Sequence, residues 1–381
     1  MRIGIDYTAA VRQGGGIGRY TRNLIRALVE LDSANHYKLM VAGGWGDGDG
    51  LGPWPANVEV RPVALSDRWM HLLWQRLRLP VPVQAVTGSI DLFHSPDFVL
   101  PPTAGTPTIL TVHDLSFLRV PQFFVPEFRK YLEGAVNRAV SRAGHILADS
   151  ESTRRDLLEL MSVEPERVSV LYPGVEARFR RVEDRAALAQ VRSRYDVPER
   201  FILGLSTLQP RKNFEGLIEA FRRLLNEHGD EPEMMGLQLV IAGGKGWMYE
   251  EMLALVERRG LTDRVRFPGF AADEDLPALY SLAAVFAFPS WYEGFGLPVL
   301  EAMACGTPVV AADNSSLPEA VGKAGLMVSA GDTAALASAL ADLLADGELR
   351  ARLGAAGREQ ARKFTWEDAG RELLEVYQRV S

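Results

Sequence analysis

Cysteine is nearly missing from this chain of 381 residues, where Cys305 stands alone. One thiol cannot close an internal disulfide, so a small secreted fold held by cross-links is excluded and a reducing compartment fits. Basic charge is not in excess either. Lysine and arginine number 42 against 49 aspartates and glutamates, a formal net charge of −7. Gripping nucleic-acid phosphates requires a basic face, which excludes a nucleic-acid scaffold. No stretch reaches the roughly 18 uninterrupted apolar residues of a spanning helix. Met1–Ala10 lacks a long apolar run after its one arginine and reads as a strand, not a secretory leader. A cytoplasmic protein is the resulting expectation.

The composition is that of a globular protein, 47% hydrophobic and 24% charged, and its length suits about two domains with a core each. Residues 1–175 are balanced in charge, so the excess acid lies in 176–381. Short β-branched runs alternate with amphipathic stretches throughout. The first series predicts strands at Arg2–Asp6, Tyr37–Ala42, Val58–Val63, Leu92–His94, Pro107–Val112, His145–Ala148 and Val168–Leu171. Between them lie helical patterns such as Gly18–Leu31, Arg68–Leu79, Glu127–Ala143 and Ser152–Met161. After Tyr172-Pro173-Gly174-Val175, the charged stretch Glu176–Arg185 reads as a linker. The alternation then restarts, with strands at Phe201–Leu205, Leu237–Ala242, Val265–Phe267, Val285–Phe288, Pro308–Ala311 and Leu326–Val328. Strand–helix–strand repetition implies parallel sheets covered on both faces. The fold class expected is α/β, two Rossmann-like doubly wound domains facing across a cleft lined by strand-end loops.

Four segments at strand ends carry residues suited to chemistry. Gly14-Gly15-Gly16-Ile17-Gly18-Arg19-Tyr20 lies between the first strand and the first long helix, where bare backbone N–H groups can approach an anion. It is not the dinucleotide fingerprint G-x-G-x-x-G, because Thr21 stands at the third glycine position; a plain flexible turn is the other reading. His113, closing Thr111-Val112-His113-Asp114, either donates to a sugar hydroxyl or a developing charge, or is a core histidine bonded to backbone. In Gln209-Pro210-Arg211-Lys212-Asn213 two cations stand at a helix start, against the local dipole, a placement that favours a bound anion over a solvated pair. Glu293-Gly294-Phe295-Gly296-Leu297-Pro298-Val299-Leu300-Glu301 sets one glutamate on a loop and another about two turns into a helix. Both can then face one elongated ligand, with a diphosphate on the glycine N–H groups between them. A capping acid followed by a solvated one is the plainer alternative.

Glycine loop, His-Asp, Pro-Arg-Lys-Asn and Glu-x7-Glu, in this order and over nearly the whole chain, resemble the retaining glycosyltransferases of family 4 (GT4), which have the GT-B fold. Gly-Ile-Asp at the start and Gly-Ile-Gly-Arg-Tyr-Thr-Arg-Asn after it are most similar to the bacterial mannosyltransferase branch that builds O-antigen chains and exopolysaccharides. The resemblance implies an acceptor domain over 1–175 with a returning helix 366–381, and a donor domain over 176–365. Tyr172-Pro173-Gly174 and Phe364-Thr365-Trp366 become candidate hinges. It implies that Lys212 and Arg211 bind the donor diphosphate. Glu293, the amides of Gly294, Phe295 and Gly296, and Leu297 beside them would hold the transferred sugar. Glu301 would take the ribose, His113 the sugar 6-hydroxyl, Gly16 the phosphates or acceptor, and Gly269-Phe270 the base. Many relatives carry a further phosphate-binding arginine where this chain has Ser206.

The implied function is transfer of a hexose, mannose from GDP-mannose, to a saccharide or polyprenyl-diphosphate-linked acceptor in cell-surface polysaccharide synthesis. A UDP-sugar donor, or a non-transferring epimerase or binding protein, would use the same frame. An NAD oxidoreductase is disfavoured by the broken fingerprint. No cofactor or metal is expected: Asp47-Gly48-Asp49 resembles a metal motif, but no apolar strand leads into it. Arg68–Leu79 mixes tryptophan, leucine and arginine as interfacial helices do, so two expectations stand for it, peripheral contact with the inner face of the plasma membrane or packing against the sheet.

Overall fold

The computed structural model describes residues 1–43, 52–66, 69–70, 74, 77 and 79–381. Asp47-Gly48-Asp49 and most of Arg68–Leu79 therefore lie outside the described residues. The chain divides into two compact units. An N-terminal unit comprises 1–118, 126–174 and 365–381, and a C-terminal unit comprises 119–125 and 175–364.

The N-terminal unit is built on a seven-stranded sheet in the order β3-β2-β1-β4-β5-β6-β7. Its strands are β1 (Arg2–Asp6), β2 (His36–Ala42), β3 (Val58–Val63), β4 (Leu92–Ser95), β5 (Thr108–Val112), β6 (His145–Ala148) and β7 (Val168–Val170). All pairings are parallel, for example Ile3↔Tyr37 and Ile3↔Leu92 on either side of β1. β4, β5 and β6 are buried at every position, as a sheet covered on both faces requires. The core joins Ile3, Ile5, Leu39 and Leu92 to Leu24 and Leu28 of the helix Gly16–Leu31 and to Leu373 and Tyr377 of the helix Trp366–Val380. That last helix is also fixed by a polar bond, since the Tyr377 hydroxyl lies 2.7 Å from His94 Nδ1. Burial holds His94 neutral by pushing its pKa down to about 3.

The C-terminal unit repeats the plan with six parallel strands in the order β10-β9-β8-β11-β12-β13. These are β8 (Phe201–Leu205), β9 (Gln238–Ala242), β10 (Val265–Gly269), β11 (Val285–Phe288), β12 (Val309–Ala312) and β13 (Leu326–Val328). Ile202, Leu239, Val285 and Val310 pack against Leu217, Phe221, Leu340 and Leu343 from the helices Phe214–His228 and Thr333–Ala345.

Three features depart from the sequence reading. A short helix, Thr8–Arg12, intervenes between β1 and the glycine loop. Glu176–Arg185 is no free linker, because Phe179 within it is buried against the Tyr280 ring, 6.1 Å between centroids. Arg119–Val125, inside the range 1–175 expected for the first domain, belongs to the C-terminal unit. There Phe123 stacks on Trp291 and its carbonyl accepts the Trp247 Nε1–H at 2.8 Å. Contacts distant in sequence fix that segment, and local pattern carries no trace of them.

In both sheets the strand order reverses beside the first strand of the series, between β1 and β4 and between β8 and β11. In open parallel sheets, ligands bind outside the carboxyl ends of the strands at such a reversal.

Candidate donor site and strand-end clusters

At the reversal of the C-terminal unit, the loop after β8 ends in a short 3-10 turn, Pro210–Lys212, followed by Asn213 in the left-handed region. Asn213 caps the helix Phe214–His228 through Gly216 N–H at 3.2 Å and donates from Nδ2 to the carbonyls of Pro289 and Ala330, at 3.0 and 2.7 Å. It thereby ties this loop to the one after β11. A main-chain bond from Trp291 N–H to Arg211 O, 2.9 Å, closes the same gap.

Lys212 Nζ donates to both oxygens of Glu293, at 2.6 and 2.9 Å. Arg211 Nη1 stands 3.3 Å from Glu293 Oε2 and also donates to the Tyr292 carbonyl. Lys212 and Glu293 are both buried. Burial works against the Glu293 charge, but Lys212 and Arg211 outweigh it and hold the carboxyl below its ordinary pKa. Glu293 is therefore an ionised acceptor at neutral pH. The three side chains sum to one positive charge in a low-dielectric setting, an arrangement that suits an anionic ligand.

The loop after β12 holds Glu293 from behind. Glu293 N–H donates to Ser315 Oγ at 3.0 Å, Ser316 Oγ donates to the Glu293 carbonyl at 3.0 Å, and Asn314 Nδ2 donates to the Ser290 carbonyl at 3.0 Å. Gly296 then opens the helix Leu297–Ala304 with φ +102°, where a Cβ would lie 2.7 Å from a Leu317 methyl. Only glycine fits there. Phe295 is buried edge-on against Phe364, and Gly294 is also buried.

Glu301 lies on the helix Leu297–Ala304. It is the fifth residue of its helix, little more than one turn in, 1% exposed, and accepts the Tyr280 hydroxyl at 2.9 Å. Glu293 thus meets two cations and Glu301 a buried phenol. Gly269 ends β10 at φ +83°, and Phe270 after it is 66% exposed. Ser206 extends β8 by one main-chain bond to Ala242 O at 3.1 Å.

In the N-terminal unit, Gly14, Gly15 and Gly16 are exposed, and the helix Gly16–Leu31 starts with no side-chain cap. A Cβ on Gly18 would meet the Gln13 carbonyl at 1.9 Å, which explains that glycine by close packing. His113, partly buried, engages both ring nitrogens. Its Nε2 faces the Pro96 carbonyl at 3.1 Å and its Nδ1 faces Asp149 Oδ2 at 2.8 Å. With both nitrogens engaged, a bond to a sugar hydroxyl would require breaking one of them. Burial opposes the charge, yet Asp149 and the Pro96 carbonyl raise the pKa to about 9, so the ring is a doubly donating imidazolium.

Sequence reasoning missed Asp149 and Tyr280. The first was findable, because it directly follows the apolar run of β6 just as His113 follows β5. Tyr280 sits in an apolar helix and gave no signal. Of Arg68–Leu79, the described Met70 is buried, Trp74 donates from Nε1 to Val81 O at 2.9 Å, and Trp69 and Leu77 are exposed. Among the described residues no helix is long and apolar enough to cross a membrane, and no group of three or more His, Cys, Asp or Glu is placed to hold a metal.

Two doubly wound units with a cation–carboxylate cluster at a strand-order reversal define an α/β class whose strand-end site suits an anionic ligand. Two family models match the chain, Glycosyltransferase Family 4 over residues 14–179 and Glycosyl transferases group 1 over 190–360. The O-antigen chain mannosyltransferase B of Escherichia coli is 30% identical over 371 residues, spanning 95% of either chain. Sucrose-phosphate synthase from Thermosynechococcus elongatus shares the fold with a TM-score of 0.76 at 22% identity, over 100% of this chain and 98% of that one. HepE of Anabaena, solved with UDP and glucose, does so with 0.74 at 21% identity over 99% of both. The chain belongs to the family 4 glycosyltransferases, has the GT-B fold and is a hexosyltransferase.

Proposed function

We propose that this enzyme transfers mannose from GDP-mannose, with retention at the anomeric carbon, to a saccharide or polyprenyl-diphosphate-linked saccharide during cell-surface polysaccharide synthesis. The observation that carries the reading is the buried Lys212–Glu293–Arg211 cluster at the β8/β11 reversal. Similarity to a mannosyltransferase over 95% of its length supports the choice of sugar.

In this reading the donor exchanges partners within the cluster. Lys212 and Arg211 move from carboxylate to diphosphate, and Glu293, its oxygens released by Lys212, accepts hydroxyls of the sugar. Cleavage of the bond between C1 and the phosphate oxygen leaves charge on the departing GDP. Fixed cations lower that cost without reorganisation. The acceptor oxygen bonds to C1 on the same face, and its proton passes to the departing phosphate, so no protein base is needed. Glu293, held ionised, serves as an acceptor and not as a proton donor. Phe270, exposed at the end of β10, offers its ring to the base, and Glu301, steadied by Tyr280, reaches the ribose. The cations do the work that a metal would do, so no divalent ion is required. The enzyme works in the cytoplasm, against the inner face of the membrane that holds its acceptor.

A thermal-shift panel of GDP-, UDP- and ADP-sugars tests the donor, since a ligand selective for the native state raises Tm. GDP-mannose gives the largest shift, and turnover with it survives EDTA. A selective response to a UDP-sugar overturns the donor assignment. Release of free altered sugar without an acceptor identifies an epimerase instead.

A further inference from the structure

Ser315, in the loop after β12, holds a backbone conformation that costs stability. Its φ is +48°, in the left-handed region, where an L side chain is strained and glycine is not. Such strain persists only where the surroundings enforce it, and it gathers at sites that use it. Here the chain is fixed on both sides. Asp313 N–H bonds to Val328 O at 2.7 Å, at the end of β13, and Leu317 N–H bonds to Asn314 O at 3.1 Å. Glycine would meet the backbone demand with less strain, so the reason for serine lies in its hydroxyl.

That hydroxyl is fully engaged. It donates to Asn314 Oδ1 at 3.0 Å and accepts Glu293 N–H at 3.0 Å. Ser316, the next residue, is buried and donates to the Glu293 carbonyl at 3.0 Å. Two consecutive hydroxyls thus take the main chain of one residue at both ends. Glu293 needs such a hold. It lies after β11, which ends at Phe288, and before the helix that begins at Leu297, so the ladder bonds of neither element fix it. Its carboxylate is held by Lys212 and Arg211, which in the proposed function leave it for the diphosphate. The hold on its main chain does not depend on those cations and persists when they go.

We infer that Ser315 is a positioning residue for Glu293, a hydroxyl kept at a left-handed position to fix the direction of that carboxylate during transfer. The inference rests on the reading of Glu293 as the acceptor of sugar hydroxyls. It adds that stability and turnover part company at this residue: the backbone conformation sets the first and the hydroxyl sets the second.

Ser315→Gly and Ser315→Ala in the full-length chain separate the two. Glycine relieves the strain, alanine keeps it, and both delete the hydroxyl. Ser315→Gly melts above Ser315→Ala by about 2–4 °C, yet kcat falls by about tenfold in both. The donor for the assay is the sugar nucleotide giving the largest Tm shift, GDP-mannose in the reading above. Calorimetric affinity for the matching nucleoside diphosphate stays within about twofold of wild type, because Lys212 and Arg211 sit on a different loop, held by Asn213. A merely structural serine would instead make turnover follow Tm, with Ser315→Gly the more active variant. That ranking overturns the inference, as does wild-type kcat in either variant. Glu293→Gln, assayed alongside, keeps the two readings apart. If it is crippled while both serine variants turn over normally, the inference alone fails. If it turns over at the wild-type rate, the reading of Glu293 fails and the inference falls with it.

Discussion

The two sheets reverse their strand order at equivalent places, yet the side chains gathered there differ in sign. Beside β8 and β11, two cations share one carboxylate, Glu293. Beside β1 and β4, the carboxylates of Asp6 and Asp97 accompany the Arg12 guanidinium, which is bonded to main-chain carbonyls. One topology thus gathers different side chains at the two reversals, and the difference lies in the residues at the strand ends. Fold alone does not assign a ligand. The two reversals also differ in how they are held. Loop-to-loop bonds of Asn213, Asn314, Ser315 and Ser316 fix the cationic one, whereas a partly buried imidazolium–carboxylate pair, His113–Asp149, stands beside the acidic one.

The largest effect is expected on the cationic side. Glu293→Gln keeps shape and removes charge, leaving Lys212 and Arg211 without their shared carboxylate. Steady-state transfer assays should show kcat/KM falling by about 10²–10³-fold, comparable to loss of a major electrostatic contact in other active sites. Glu293→Ala leaves the same cations buried beside a cavity, so it is expected to destabilise the fold as well, by about 3–5 kcal/mol. Near-wild-type turnover of the Gln variant would remove the contrast between the two reversals.

Next is the pair beside the acidic site. His113 has a folded pKa of about 9, above its ordinary 6.5. Its contribution to stability is therefore complete below about pH 6.5 and is lost as pH rises through about 9. Asp149→Asn leaves burial as the dominant influence and lowers that pKa below the ordinary value. Urea unfolding at both ends of the window should show the wild type losing stability with rising pH. The variant, destabilised by about 3–5 kcal/mol at pH 6.5, should lack that component. An identical pH slope in both proteins would show that His113 is not charged in the fold.

Much of this contrast was legible in the sequence, though unevenly. The strands announced themselves because parallel strands buried on both faces are unbroken apolar runs, as in Phe201–Leu205 and Val285–Phe288. Their ends then pointed to His113, Lys212 and Glu293 as polar residues following such runs. Which groups touch was not legible, since the contacts span large separations: Lys212 meets Glu293 across 81 residues and His113 meets Asp149 across 36. For the same reason the sequence did not show what Glu301 meets. Its partner Tyr280 comes from a different helix, and helical spacing alone does not say what the opposite wall holds.

A smaller effect sharpens the distinction between the two glutamates. Tyr280→Phe removes the hydroxyl from Glu301 and should cost about 1.5–3 kcal/mol of stability by thermal or urea unfolding. Its effect on kcat should be far weaker than that of Glu293→Gln. Equal kinetic damage from both would place Glu301 in the reacting cluster.

The central claim, that the cations after β8 seize the donor diphosphate, is tested most directly by calorimetric titration of GDP into the wild type and into Lys212→Ala. Affinity should fall by about 100-fold or more on loss of that buried charge. GDP bound equally well by both proteins would contradict it.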